Sequence, residues 1–148
     1  MKPGKPLERK TPMKRTGGPA RTAMKPSRPK PAVPTETRKG LGVRSQGDCE
    51  MALPGCTGAA TEVSHRIKRG AGGRHGTAAE LSNRLSNLLH ACHTCHRWCH
   101  DRPAEAYDLG LILREHQDPL REPANTARYG PVLLDDQGGM WPVGGEES

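Results

Sequence analysis

Seven of the eleven residues from His90 to His100, HACHTCHRWCH, are Cys or His. This density of metal-ligating side chains constrains the fold more than any other feature, because the rest of the chain cannot make up for it with apolar burial. Only 32% of the 148 residues are hydrophobic and Phe is absent, so a core of ordinary size is out of reach. Chains this short of core are held by disulfides or by a structural metal, and Cys49, Cys56, Cys92, Cys95 and Cys99 are the available sulfurs. An odd number of cysteines argues against a pure disulfide framework. No apolar run approaches the length of a secretory or membrane-spanning segment. The sequence therefore predicts a soluble, cytoplasmic chain whose reduced thiols bind metal, with no membrane partner and no small-molecule organic cofactor.

Cys92-x-x-Cys95 is half of a tetrahedral thiolate site, since a two-residue spacer turns both sulfurs toward one ion. Cys49 and Cys56, with Pro54 and Gly55 in a turn between them, complete a structural Zn2+ site of four cysteines. Cys92-x-x-Cys95-His96 also matches a haem attachment pattern, but that chemistry belongs to exported proteins. A thioredoxin-like pair would need a preceding βαβ unit, which is missing. Cys99 reads as a small buried apolar residue beside Trp98.

The net charge of +7 is unevenly spread. Residues 1–48 hold 13 Lys and Arg against 3 Asp and Glu, whereas the remainder is net −3. Eight of the fourteen prolines also precede residue 45. Such a segment cannot bury enough surface to offset its ordering entropy, which predicts a disordered basic tail over 1–46. Its charge favours nucleic acid through phosphate contacts and counterion release. A folded α+β unit is expected over 47–115, with an extension carrying a small hairpin over 116–148. Within the unit, ATEVSHRI reads as a strand, a helical turn is expected near Ala78–Leu81, and a helix over His93–Arg102. Pro103 opens a second helix that Gly110 ends, and LGLIL is a short buried strand or extended segment. YGPVLLDDQGGMW predicts a hairpin turning near Asp136–Gly139.

His96 and His100, four apart, share one face of the predicted helix, the spacing of helical metal-binding pairs. His65 ends the predicted strand, and Asn87 lies nine residues before His96. His75, His90, His93 and His116 have no assigned role.

The order His65, Asn87, His96, His100, with CHTCH at the strand–helix junction, resembles the HNH endonucleases, the ββα-metal nucleases. More narrowly, CEMALPGCTGAATEVSHRIKRGAGG followed by LSNLLHACHTCHRWCHDRPAEAYDLGLIL is similar to the small zinc-knuckle HNH proteins of actinobacterial bacteriophages. The resemblance implies a ββα-metal fold and a metal-dependent DNA endonuclease. In it His65 is the general base, Asn87 holds the His65 loop, and His96 and His100 bind a catalytic Mg2+, Mn2+ or Ni2+. It further implies DNA as partner, and a phage terminase by analogy. Ser64 departs from the pattern: it stands where the family carries a His or Asp ligand, and a neutral hydroxyl is a poorer ligand. Glu62, two residues earlier on the same strand face, is a candidate contributor. Arg66, Lys68 and Arg69 are candidate phosphate contacts. The competing expectation is a catalytically weak, zinc-stabilised DNA-binding or packaging adaptor on the same scaffold.

Overall fold

The computed structural model describes residues 32–70 and 76–144. Its elements are α1 (Thr35–Ser45), β1 (Glu62–His65), α2 (Thr77–Ser82), a 3-10 turn (Leu85–Asn87), β2 (Leu88–Ala91), α3 (His93–Asp101) and α4 (Pro103–Asp108). Then come β3 (Ala124–Thr126), β4 (Gly130–Leu134) and β5 (Met140–Pro142). The chain is mixed helix and sheet, as expected. Among the described residues no helix is long and apolar enough to cross a membrane.

β1 and β2 pair antiparallel, with Glu62 opposite Ala91 and His65 opposite Leu88. β2 is buried on both faces. Leu88 packs with Val33 and Leu41 beneath α1, while Leu89 and Ala91 join the main core. A strand covered on both sides loses the alternation that marks a half-buried one, which is why LLHA reads in sequence only as a short apolar piece. The main core is partly made of sulfur: Cys49, Cys92, Cys95 and Cys99 sit in it with Met51, Leu111, Ile112 and Leu134.

The expectation of a disordered tail over 1–46 is corrected at its C-terminal end. TETRKGLGVRS is a poor helix by composition, yet α1 forms, because tertiary contacts override its propensity. Leu41 is fully buried against Leu88. Arg44 makes a bidentate pair with Glu50, with Nε to Oε1 at 2.7 Å and Nη2 to Oε2 at 2.8 Å. Arg44 also donates to the carbonyls of Leu85 and Leu88, and Glu50 Oε2 accepts the His90 N–H at 2.7 Å. Both charges are thus out of solvent and fully hydrogen-bonded, and this arrangement ties α1 to β2. The part of that expectation covering residues 1–31 lies outside the described residues.

The segment 116–148 is also more than an extension. Ala124, Val132 and Leu134 belong to the main core, and Ser86 Oγ donates to Asp136 at 2.5 Å. The hairpin β4–β5 turns over Asp135–Gly139, where Asp135 Oδ1 accepts the N–H groups of Gln137 and Gly139. β3 has no counterpart in the sequence reading, and Leu111–Leu113 is buried without joining a sheet. Gly110 ends α4 with φ 67°, and a Cβ there would overlap the Pro123 carbonyl, so only glycine fits.

Candidate functional site: a cysteine cluster and a histidine cleft on one helix

α3 begins at the sulfur cluster. Cys92 caps the helix, its Sγ accepting the Cys95 N–H at 3.4 Å, which turns both thiols the same way. The opposing pair comes from a loop closed by its own backbone: Cys49 N–H donates to Gly58 O at 2.7 Å and Cys56 N–H to Leu53 O at 2.9 Å. Pro54 and Gly55 form the turn between them, with Gly55 at φ 82°. The four Sγ atoms lie within 4.8 Å of one another, and among the described residues no other group of three or more His, Cys, Asp or Glu ligand atoms does. Cys56 and Cys92 are 3.9 Å apart, close to the roughly 3.8 Å edge of a tetrahedron with ordinary Zn–S bonds. Three of the four cysteines are buried, and the set is closed.

The thiols answer one another electrostatically. Burial pushes Cys92 up, but hydrogen bonds from Thr57 and Cys95 outweigh it and bring it down to about 6. Burial and the neighbouring Cys92 drive Cys95 well up. Thiols packed this closely cannot all ionise without a cation among them, so the donor set fits a thiophilic metal such as zinc. Cys99 stays outside the cluster. It is 2% exposed, its thiol 3.8 Å from Met51 Sδ, and burial raises it to about 11.

The next turns of α3 carry the histidines. Nε2 of His96 and Nε2 of His100 lie 3.2 Å apart, facing each other across one helical turn. The register explains what meets them from β1. Glu62 pairs with Ala91, the residue from which the chain passes into α3, so its carboxylate reaches the helix's first turns. Oε2 of Glu62 is 2.5 Å from Nδ1 of His96 and Oε1 is 2.7 Å from Nδ1 of His93. Those hydrogen bonds hold the Glu62 carboxyl below the usual carboxylate range. With Nδ1–H committed to Glu62, His96 keeps the Nε2 lone pair toward His100, the arrangement that orients a metal-binding imidazole. Glu62 was the residue least specified by the sequence; its signal was only its position on β1.

Val63 and His65, on one face of β1, line an open cleft with His96 and His100. Ser64 is 2% exposed and does not line this cleft; the contact that β1 makes with His96 comes from Glu62. Nε2 of His65 is 3.1 Å from Asn83 Oδ1 and 3.1 Å from Arg69 Nε. These contacts are alternatives: protonated, Nε2 donates to Asn83; bare, it accepts from Arg69. Burial pushes the His65 pKa down, the Asn83 contact opposes this, and the Arg69 charge adds to the lowering.

Asn87 is buried and does not line the cleft. Its Oδ1 accepts the Ile67 N–H at 2.8 Å, its Nδ2 donates to Ser82 O at 2.9 Å, and its carbonyl accepts the Arg66 N–H at 2.8 Å. It therefore fixes the backbone that follows His65. Lys68 and Arg69 border the cleft. The expectation that Arg66 contacts phosphate is corrected: Arg66 is fully buried, and its guanidinium donates to the carbonyls of Gly110, Ser86, Pro119 and Glu122. Arg66 follows β1 directly and turns inward, where carbonyls from loops far apart in sequence accept from it.

No protein-family model, no curated protein and no solved structure matches this chain.

Proposed function

We propose that the chain is a metal-dependent DNA endonuclease of the HNH, ββα-metal kind, with the cysteine cluster as a structural zinc site. The observation that carries this reading is the shared cleft: His65 from β1 and His96 and His100 from α3 border one open depression, with Lys68 and Arg69 beside it. An antiparallel strand pair followed directly by a helix supports the same reading.

The residues fit a divalent ion: two imidazole nitrogens 3.2 Å apart, one oriented by a carboxylate, with the cleft side left open. Bound at His96 and His100, such an ion (Mg2+, Mn2+ or Ni2+) supplies Lewis-acid stabilisation to a phosphate oxygen. His65 removes the proton from the attacking water. In the tautomer that donates Nε2–H to Asn83, its Nδ1 keeps the lone pair a general base needs. Asn87 keeps the His65 segment in register with β2, and Lys68 and Arg69 bring positive charge to the phosphate. The products are a 5′-phosphate and a 3′-hydroxyl.

The test is nicking of supercoiled plasmid at low salt by the full chain, with each of the three metals, beside His65→Ala. Metal-dependent nicking that falls by about 10²–10⁴-fold in the variant is the expected result. A folded, zinc-loaded protein that binds DNA without cutting it overturns the reading. That outcome selects the non-catalytic adaptor, which the burial of Ser64 favours because only two imidazoles then converge.

A further inference from the structure

The histidine cleft is the middle of a longer groove. On one side it shares Val63, His65, Arg69 and His96 with a depression that reaches Ala32 and Arg38. On the other it shares Lys68, Arg69 and Gly70 with a depression bounded by Tyr107, Leu113 and Arg114. The cleft chemistry accounts for the middle and leaves the Tyr107–Arg114 end without a role.

That end has the features of a phosphate grip. The Arg114 guanidinium lies 4.9 Å from the centre of the Tyr107 ring, so stacking restrains a long exposed side chain at the groove edge. Its backbone is held too, with the Arg114 N–H donating to Gln117 Oε1 at 2.7 Å. Lys68, Arg69 and Arg114 face a single carboxylate, Glu115, around this depression. Arg38 borders the opposite end of the groove. Basic side chains thus lie on both sides of the histidines, a distribution that suits a polyanion running past a reacting phosphate.

We propose that Arg114, stacked on Tyr107, and Lys68 form a second subsite that grips the nucleic-acid backbone on the side of the histidine cleft away from Ala32. The subsite rests on the nuclease reading for the identity of the polyanion. Arg114 and Tyr107 lie outside the histidine cleft, so loss of Arg114 raises KM and leaves kcat, whereas Lys68 borders both depressions and its loss affects both.

The experiment measures equilibrium binding of a long DNA duplex to the full chain across a salt series, for wild type, Arg114→Gln, Lys68→Gln, Arg114→Lys and Tyr107→Leu, with circular dichroism of each. Each Gln variant is expected to lower the slope of log K against log salt by about 0.9, one phosphate contact. Arg114→Lys keeps the slope, and Tyr107→Leu weakens binding about threefold without changing it. Folded Gln variants whose slope and affinity equal those of wild type overturn the subsite alone. Wild-type protein that binds no DNA at low salt overturns the nucleic-acid reading and the subsite together. Binding without cleavage by wild type, with the slopes reduced as expected, upholds the subsite and overturns only the enzymatic step.

Discussion

The cysteine cluster and the histidine cleft are built on the same helix and yet differ in almost every physical respect. Cys92 and Cys95 sit at the first turn of α3, complete a closed set of four ligands, and belong to the main core. His96 and His100 follow within two turns, offer two nitrogens, and border an open cleft. A closed thiolate set leaves no position for a substrate and serves stability, whereas an open set leaves room for water and phosphate. The contrast teaches that the first site positions the second. In a chain with so small an apolar core, a metal held at the sulfurs would fix the start of α3, and the start of α3 fixes where the imidazoles point.

The largest test of this division is removal of the first metal. Cys95→Ser, or chelation of the wild type, is expected to unfold the chain cooperatively, because structural zinc contributes on the order of 10 kcal/mol to such folds. Metal content and thermal melts report it, and an unchanged melt would mean that the cluster is ornamental and the comparison wrong. His96→Ala should leave that melt within about 1 kcal/mol of wild type, as expected for a surface change. Next in size is a pair of neighbouring basic residues. Arg66→Met removes the donor to four carbonyls and is expected to cost more than about 3 kcal/mol in a denaturant titration. Lys68→Met, at the exposed groove, should stay within about 0.5 kcal/mol. Glu62→Gln comes third. It keeps the size of the side chain but loses the charge that holds His96, and apparent affinity for the activating metal should fall about 10–100-fold with zinc content unchanged.

The smallest effect is in pH. In the proposed mechanism His65 acts as a neutral base, so cleavage is expected to rise with pH through the His65 pKa. Burial and the Arg69 charge set that value below the ordinary imidazole one, and the acid limb is therefore expected below about pH 6.5. Arg69→Gln removes the lowering charge and should move the limb upward. A limb above neutral pH would separate His65 from the role of base.

Local signals carried much of the architecture. β1, α3, α4 with Pro103 at its start, and the hairpin at Asp135–Gly139 lie where period, capping and turn residues put them. Failures came where packing on both faces or distant partners decide the outcome. β2 lacks alternation because α1 and the sulfur core cover opposite sides of it. α1 lacks helical character of its own, and only the buried pair of Arg44 with Glu50 and the seat for Leu41 make it fold. Arg66, Lys68 and Arg69 look alike in a string of basic residues. One is a fully buried donor to four carbonyls, and the other two border a groove.

By itself the sequence determined that the ligating thiols come as two local pairs, Cys49 with Cys56 and Cys92 with Cys95. Cys-x-x-Cys and a Pro-Gly turn between cysteines are short-range devices whose geometry follows from chain stiffness. It also determined that His96 and His100 share a helix face, since four residues make about one turn. Only the tertiary structure decided that Glu62 rather than Ser64 addresses His96, that Asn87 is a buried brace for the His65 segment, and that Arg66 is interior. Those outcomes depend on the register of β1 against β2 and on which loops arrive from elsewhere with unpaired carbonyls. Neither is encoded within hydrogen-bonding reach of the residue concerned; both are settled only when the whole chain closes around its sulfur core.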